Sequence, residues 1–315
     1  MKILIELPTW LGDCVMSTAS IEGIVQLYPN AKITFFGSSI SIGVLKNHPN
    51  VTNVLEINRS FFSLYKFAKS LGKFDLFFSF RSSVRSSFLK FFVSSERKYQ
   101  YSNKQYFHGH QVEKYMQFVC DSINVSIPSR KLKIYKKNNN LNHIRPRLGI
   151  NPGASYGNAK RWYPEEFAKV AYELSDEYEV FIFGGPREIQ IANDIEKKLK
   201  EFGLNNYQNL AGKTDISELI DYISSLDLLI TGDSGPMHLA AAFQVPTIAI
   251  FGPTRAQETS QWKNKHSVIV KKNLDCQPCM KRNCPLNHHN CMRLIKADEV
   301  LNEVRHLQES FCSIK

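Results

Sequence analysis

Residues 228–253 read L-L-I-T-G-D-S-G-P-M-H-L-A-A-A-F-Q-V-P-T-I-A-I-F-G-P. Leu228, Leu229 and Ile230 form an apolar run that suits a buried strand. Gly232, Asp233, Ser234 and Gly235 make a polar turn. Pro236 suits the first turn of a helix, where its missing N–H costs nothing. The Ala-rich helix Met237–Phe243 can pack close to a sheet, and a second buried strand follows it before Pro253. A strand ending in such a turn points free backbone N–H groups outward, which makes an anion site. The first functional reading is therefore a phosphate-bearing ligand at this turn. The plain alternative is an ordinary βα loop.

The same grammar runs outward in both directions. Lys2–Leu7 reads as a strand, followed by the loop Pro8–Asp13 and a helix over Val15–Leu27, with Asp13 at the N-cap position. Strands follow at Ile33–Gly37, Asn53–Ile57 and Asp75–Phe80. Helices are predicted over Ile42–Asn47 and Phe61–Leu71, the latter with an aromatic core stripe. Beyond the polar, Asn-rich stretch 136–147 the pattern restarts at Leu148–Asn151. Strands are predicted at Val180–Phe183 and Tyr207–Leu210, with helices from Pro164 to about Asp176 and over Arg187–Phe202, Ile216–Ser224 and Ala297–Gln308. Alternating strands and helices in each half imply parallel sheets, so the fold class is α/β with two Rossmann-like domains. Their bounds are 1–140 and 148–296, joined by a linker.

Composition narrows the class. With 43% hydrophobic and 22% charged residues over 315, the chain can build large cores and is globular. No apolar run approaches the ~20 residues of a membrane-spanning helix. The short, acidic N-terminus does not read as a signal peptide, so a cytoplasmic location is expected. The net charge of +11 implies an anionic partner. No nucleic-acid-binding motif is present, so nucleic acid is not the expected one. Much of the basic excess lies before residue 150, where Arg81, Arg85, Arg97 and Lys104 are candidate anion ligands. Guanidinium forks match carboxylate and phosphate geometry; a solvated basic face is the alternative, and Arg81, directly after a strand, is the best exception to it.

Three chemistries are disfavoured. No G-x-G-x-x-G follows the first strand, no G-x-x-x-x-G-K-[ST] occurs and no G-x-S-x-G elbow appears, which argues against dehydrogenases, P-loop enzymes and elbow-type hydrolases. Cys276, Cys279, Cys284 and Cys291 cluster at C-x2-C-x4-C-x6-C spacing with His288 and His289 between them. Thiolates and imidazoles at short spacing resemble a structural zinc site; buried thiols or disulfides are the alternative.

Taken together, P-T-W-L-G-D at 8–13, N-P-G-A-S-Y-G-N-A-K-R-W at 151–162, F-G-G-P-R-E at 183–188, L-A-G-K-T at 210–214 and G-D-S-G-P-M-H-L-A-A-A at 232–242 resemble glycosyltransferase family 9. These are the bacterial ADP-heptose:lipopolysaccharide heptosyltransferases. The Lys160 motif and the C-x-P-C-x4-C-P-L-x2-H-x-C segment look most like the heptosyltransferase II branch. The resemblance implies a GT-B fold: two facing Rossmann-like domains, acceptor site in the first, nucleotide-sugar site in the second. It implies that the last helix, 297–312, packs back on the first domain. It implies an inverting transfer of L-glycero-D-manno-heptose from ADP-heptose to the first heptose of the lipopolysaccharide or lipooligosaccharide inner core, with Asp13 as general base.

The resemblance also implies roles on the donor side. Lys160 contacts the diphosphate, and Ser234 and Gly235 N–H groups hold phosphate. His238 donates as well, Asp233 holds a hydroxyl or orients the turn, Glu188 binds ribose, and Thr214 lines the adenine pocket. No catalytic metal or cofactor is expected. The implied partners are ADP-heptose, the lipid A-linked inner-core oligosaccharide, and the inner face of the cytoplasmic membrane by peripheral contact. Readings kept beside this one are a heptosyltransferase I acting on Kdo, a family member or epimerase using another nucleotide sugar, and a non-catalytic lipopolysaccharide-associated binding protein. Epimerases of this fold do not need an acceptor-side base, so the loop carrying Asp13 argues against them.

Overall fold

A computed structural model of the protein describes residues 1–57, 61–128, 130–137 and 143–312, with the side chains at 61, 62, 311 and 312 left aside. The chain divides into a unit spanning Met1–Lys137 and a unit spanning Asn138–Lys315. The division falls within the predicted linker, whose middle, 138–142, lies outside the described residues.

The first unit holds β1 (Lys2–Glu6), β2 (Lys32–Gly37), β3 (Val51–Glu56), β4 (Lys73–Ser79) and β5 (Ser94–Gln100). They pair in parallel in the order β3-β2-β1-β4-β5. In the second unit β6 (Arg147–Asn151), β7 (Glu179–Ile182), β8 (Tyr207–Asn209), β9 (Leu228–Gly232), β10 (Thr247–Phe251) and β11 (Ser267–Lys271) pair in parallel in the order β11-β10-β9-β6-β7-β8. Every residue of β9 and β10 is buried. Such continuous apolar runs mark strands covered on both faces, as parallel sheets with helical crossovers require. Both units are thus α/β, as the alternating pattern predicts.

Strand order reverses between β1 and β4 in the first unit, and between β6 and β9 in the second. At such a switch point the chain leaves neighbouring strands in opposite directions. A crevice opens at the carboxyl ends, where open α/β sheets bind ligands. The stretch 228–253 supplies one wall of the second crevice.

Three departures from the sequence reading have physical causes. The first helix spans Leu11–Leu27, and its N-cap is Trp10. Asp13 is therefore inside the first turn, not at the cap. The segment 81–110 contains a helix, Val84–Phe92, and the strand β5. β5 is an edge strand with sequence S-S-E-R-K-Y-Q, and edges carry charge to block pairing with other chains. The helix Gln111–Ile123 was readable from Val112, Tyr115, Met116 and Val119, which are all buried on one stripe.

The last helix, Ala297–Cys312, is anchored in the second unit. Its Val300, Leu301, Val304 and Leu307 belong to the core of the second unit, beside Phe167, Ala171 and Ile195. The Glu166 carboxylate accepts the Ala297 N–H at 2.8 Å and pairs with Lys296 at 2.8 Å. Lys169–Asp298 and Lys272–Glu299 pairs, at 2.9 and 2.6 Å, pin its first turn. The helix is part of the second unit's core.

Candidate functional site

In the second unit the crevice between β6 and β9 is built by polar residues that end apolar strands. β6 reads R-L-G-I-N, and its last residue, Asn151, is 2% exposed. A buried amide must find partners. Asn151 Nδ2 donates to Thr231 Oγ1 and Ser234 Oγ, each at 2.8 Å, tying the end of β6 to the turn after β9. Ser234 is the N-cap of the helix Gly235–Phe243, with Pro236 in its first turn. Its side chain makes no cap bond, so the first N–H groups of this helix are not capped by Ser234, and the helix dipole favours an anion there.

Lys160 stands on the opposite wall, in the short 3-10 turn Asn158–Lys160 after β6. Its ammonium pairs with Asp233 Oδ2 at 2.5 Å and also donates to the Asp233 carbonyl. Thr254 donates to the same carboxylate at 2.6 Å. Both side chains of the pair are largely buried, Lys160 at 12% and Asp233 at 4% exposure. The Tyr156 ring lies under the ammonium, 4.8 Å from its centroid. His238 is buried one turn further along the helix.

Glu188 reaches the crevice from the loop after β7. It accepts the Gly185 N–H at 2.8 Å. A Cβ added at Gly153 would lie 2.2 Å from the Glu188 carboxyl carbon, so only glycine admits that carboxylate over the loop after β6. Thr214 is half-buried in the loop after β8. That loop is stitched to the one after β7 by Gly212 N–H donating to Gly184 O at 2.8 Å. Lys160, Asp233, Ser234, Gly235 and Glu188 thus share one carboxyl edge around the switch point, with Thr214 further along it.

The first unit repeats the device. β1 reads K-I-L-I-E, and Glu6 is fully buried at its end. Ser79 at the end of β4 donates to it at 2.6 Å, Ser86 at 3.0 Å and Arg81 Nη1 at 3.4 Å. Burial raises the Glu6 carboxyl above its ordinary 4.5, against the pull of Ser79, Arg81 and Ser86. Asp13, half-buried, follows the other wall of this crevice. It lies near enough to Tyr115 to add to burial in raising that phenol. Arg85 is exposed in the helix after Arg81, and Lys104 is exposed in the loop after β5. Arg97 is exposed in the middle of edge strand β5, opposite Leu76, and is not at the carboxyl edge.

Comparison with known proteins identifies the family. The profile of glycosyltransferase family 9 (heptosyltransferase) matches residues 64–290. The chain is 40% identical to the lipooligosaccharide heptosyltransferase 2 of Campylobacter jejuni over 317 residues, 98% of each chain. The chain belongs to glycosyltransferase family 9. It is accordingly a glycosyltransferase. Among solved structures, the ADP-heptose lipopolysaccharide heptosyltransferase II of E. coli matches with a TM-score of 0.81 at 22% identity, over 98% of this chain and 100% of that one. The E. coli heptosyltransferase WaaC with ADP-2-deoxy-2-fluoro heptose matches with a TM-score of 0.75 at 15% identity, over 97% and 99%. These two similarities establish the GT-B fold for the family 9 chain.

Two residues of this family 9 enzyme escaped the sequence reading: Glu6 and Asn151. Their signal was available, since each is a polar residue closing an otherwise apolar strand. For the cysteines the structure shows the thiol alternative and not the disulfide one. Cys276, Cys279, Cys284 and Cys291 are free thiols, so the disulfide reading does not apply. All four line one small cavity with Ala159, His288 and His289. Among the described residues, no three His, Cys, Asp or Glu side chains are gathered into a metal shell. Both ring nitrogens of His289 are engaged, with Tyr163 and with Ala159 O. Burial pushes the Cys291 thiol up to about 11, while the His289 N–H and neighbouring amides hold Cys284 below its ordinary value.

Glu6 supplies a pH test of the first crevice. A carboxyl raised by the fold adds stability at low pH that is lost as pH rises through its folded value. Glu6→Gln removes that titration while keeping an acceptor oxygen. Denaturant unfolding of both proteins at about pH 4 and about pH 8 should show the stability difference moving in the variant's favour at high pH, by about 1.4 kcal/mol per tenfold change in proton affinity. A difference that stays flat, or moves toward the wild type, contradicts the raised carboxyl.

Proposed function

We propose that the chain transfers L-glycero-D-manno-heptose from ADP-heptose to the first heptose of a lipopolysaccharide or lipooligosaccharide inner core, with inversion. The observation that carries this reading is the pairing of Lys160 with the Asp233–Ser234 turn at the β6/β9 switch point. A cation and uncapped helix N–H groups on one edge are what a nucleotide diphosphate needs. The C. jejuni relative supports the choice of acceptor by its name. The E. coli enzyme solved with a fluorinated ADP-heptose supports the choice of donor.

In this reading the Lys160 ammonium and the Ser234 and Gly235 N–H groups take up the negative charge that grows on the leaving diphosphate. Groups fixed before the reaction stabilise that charge without reorganising. Lys160 exchanges its Asp233 oxygen for phosphate as the donor enters. Glu188 accepts the ribose hydroxyls, and Thr214 and His238 complete the nucleotide site. Asp13 takes the proton from the acceptor hydroxyl as its oxygen attacks the anomeric carbon. Arg81, Arg85 and Lys104 hold the acceptor's anionic groups, while Arg97 serves the solvated edge. The +11 net charge draws the enzyme to the anionic inner face of the cytoplasmic membrane. Among the described residues no helix is long and apolar enough to cross it. Catalysis in this scheme uses side chains and backbone alone.

Release of ADP from ADP-heptose, measured with and without heptose-Kdo2-lipid A, tests the assignment. Wild type should release ADP only with acceptor, and Asp13→Ala should lose on the order of 10²–10⁴ in rate. Acceptor-independent release, release with Kdo2-lipid A alone, or an active Asp13→Ala contradicts it.

We also propose that the four clustered thiols take a structural zinc ion. The support is their thiol chemistry and the one small cavity they line; among the described residues no three of these donors stand together as a metal shell, so binding requires the segment to rearrange around the ion. Protein purified without a histidine tag should carry about one zinc, and chelation should lower its melting temperature. Less than about 0.2 equivalents removes this reading, since a one-site protein cannot be filled at that level.

A further inference from the structure

The loop that carries Lys160 is held by the cysteine-rich segment and not only by the sheet. Ala159, the residue before Lys160, is buried. Its N–H donates to Arg282 O at 3.0 Å, and its C=O accepts from His289 Nε2 at 2.9 Å. Both polar groups of this one residue are therefore spent on residues 282–289. Tyr163 OH lies 3.2 Å from His289 Nδ1 and fixes the ring's orientation. His289 itself has a left-handed backbone, φ 52, and its N–H donates to Cys284 Sγ at 3.4 Å. Further up the loop, Tyr156 OH donates to Met280 O at 2.8 Å, and Arg282 stacks on the same ring that lies under Lys160. A Cβ at Gly157 would lie 2.4 Å from Arg282 O, so the two segments touch backbone to backbone.

We propose that His289 is a positioning residue for Lys160. Its ring and the Arg282 carbonyl clamp Ala159 from both sides, which sets where the Lys160 ammonium stands relative to the Ser234 turn. The imidazole has the right shape for the task, since a neutral ring can donate at Nε2 while accepting at Nδ1. The cysteine-rich segment is then part of the donor site, although none of its side chains needs to touch the donor. The inference rests on the reading of Lys160 as the diphosphate ligand.

The experiment is a double-mutant cycle read by ADP affinity in calorimetry and by turnover of ADP-heptose. Lys160→Ala should weaken ADP binding on the order of tenfold or more, the loss expected for a charge-assisted contact. His289→Ala should lower turnover on the order of 10–100-fold, because small displacements of a positioning loop are costly. The double variant should then sit within about twofold of Lys160→Ala, because a group acting through Lys160 has nothing left to act on. His289→Gln, which can still donate to Ala159 O, should recover most of the loss. Tyr163→Phe, which frees only the ring's orientation, serves as the milder variant if His289→Ala does not fold.

Losses that add in the double variant overturn the positioning role and leave the Lys160 reading intact. So does a His289→Ala or Tyr163→Phe enzyme equal to wild type. A Lys160→Ala enzyme with unchanged ADP affinity overturns the Lys160 reading, and the positioning role with it.

Discussion

In each unit the strand that borders the switch point ends on a buried polar side chain, and the crevice is organised by what that side chain must bond. Asn151 cannot stay unpaired at 2% exposure, so it takes Thr231 and Ser234. Glu6, with no exposure at all, takes Ser79, Ser86 and Arg81. An unmet amide or carboxylate in such a place costs several times what a typical hydrogen bond contributes. The bonds therefore fix the loops on the far side of each crevice before any ligand arrives. Preorganisation of this kind is what electrostatic catalysis requires.

The second unit's crevice adds a charge pair to that frame. Lys160 and Asp233 neutralise one another in a largely buried setting, with Thr254 on the same carboxylate. A lone buried ammonium would be expensive, and the pair makes it tolerable. The cysteine-rich segment adds a second restraint by holding Ala159 from both sides. Together these leave Lys160 little freedom except to trade one anionic partner for another.

Much of this was legible in residue order. The run Leu228–Ile230, the Gly-containing turn and Pro236 announced β9, the polar turn after it and its helix. Alternation of strands and helices announced two parallel sheets. Edge strands were harder: β5 is charged and β11 buries only one of its five residues, because a sheet's outer strands bury only part of their surface. Placement of the last helix was not legible, since an apolar stripe is the same whichever core receives it. Asp13 looked like a cap because carboxylates favour both the cap and the first turn, and only the backbone path at Trp10 separates the two. The clamp on Ala159 had no sequence signal, because the residue's two backbone groups bond to partners more than 120 residues away, as the Ala159–Arg282 bond at positions 159 and 282 shows.

That the β6/β9 crevice is a diphosphate cradle is tested most directly by a crystal structure of the enzyme with ADP. The diphosphate should lie within hydrogen-bonding distance of the Ser234 and Gly235 N–H groups, with the Lys160 ammonium moved from Asp233 onto a phosphate oxygen. ADP bound away from this turn, or Lys160 still paired only with Asp233 beside a bound diphosphate, would contradict it.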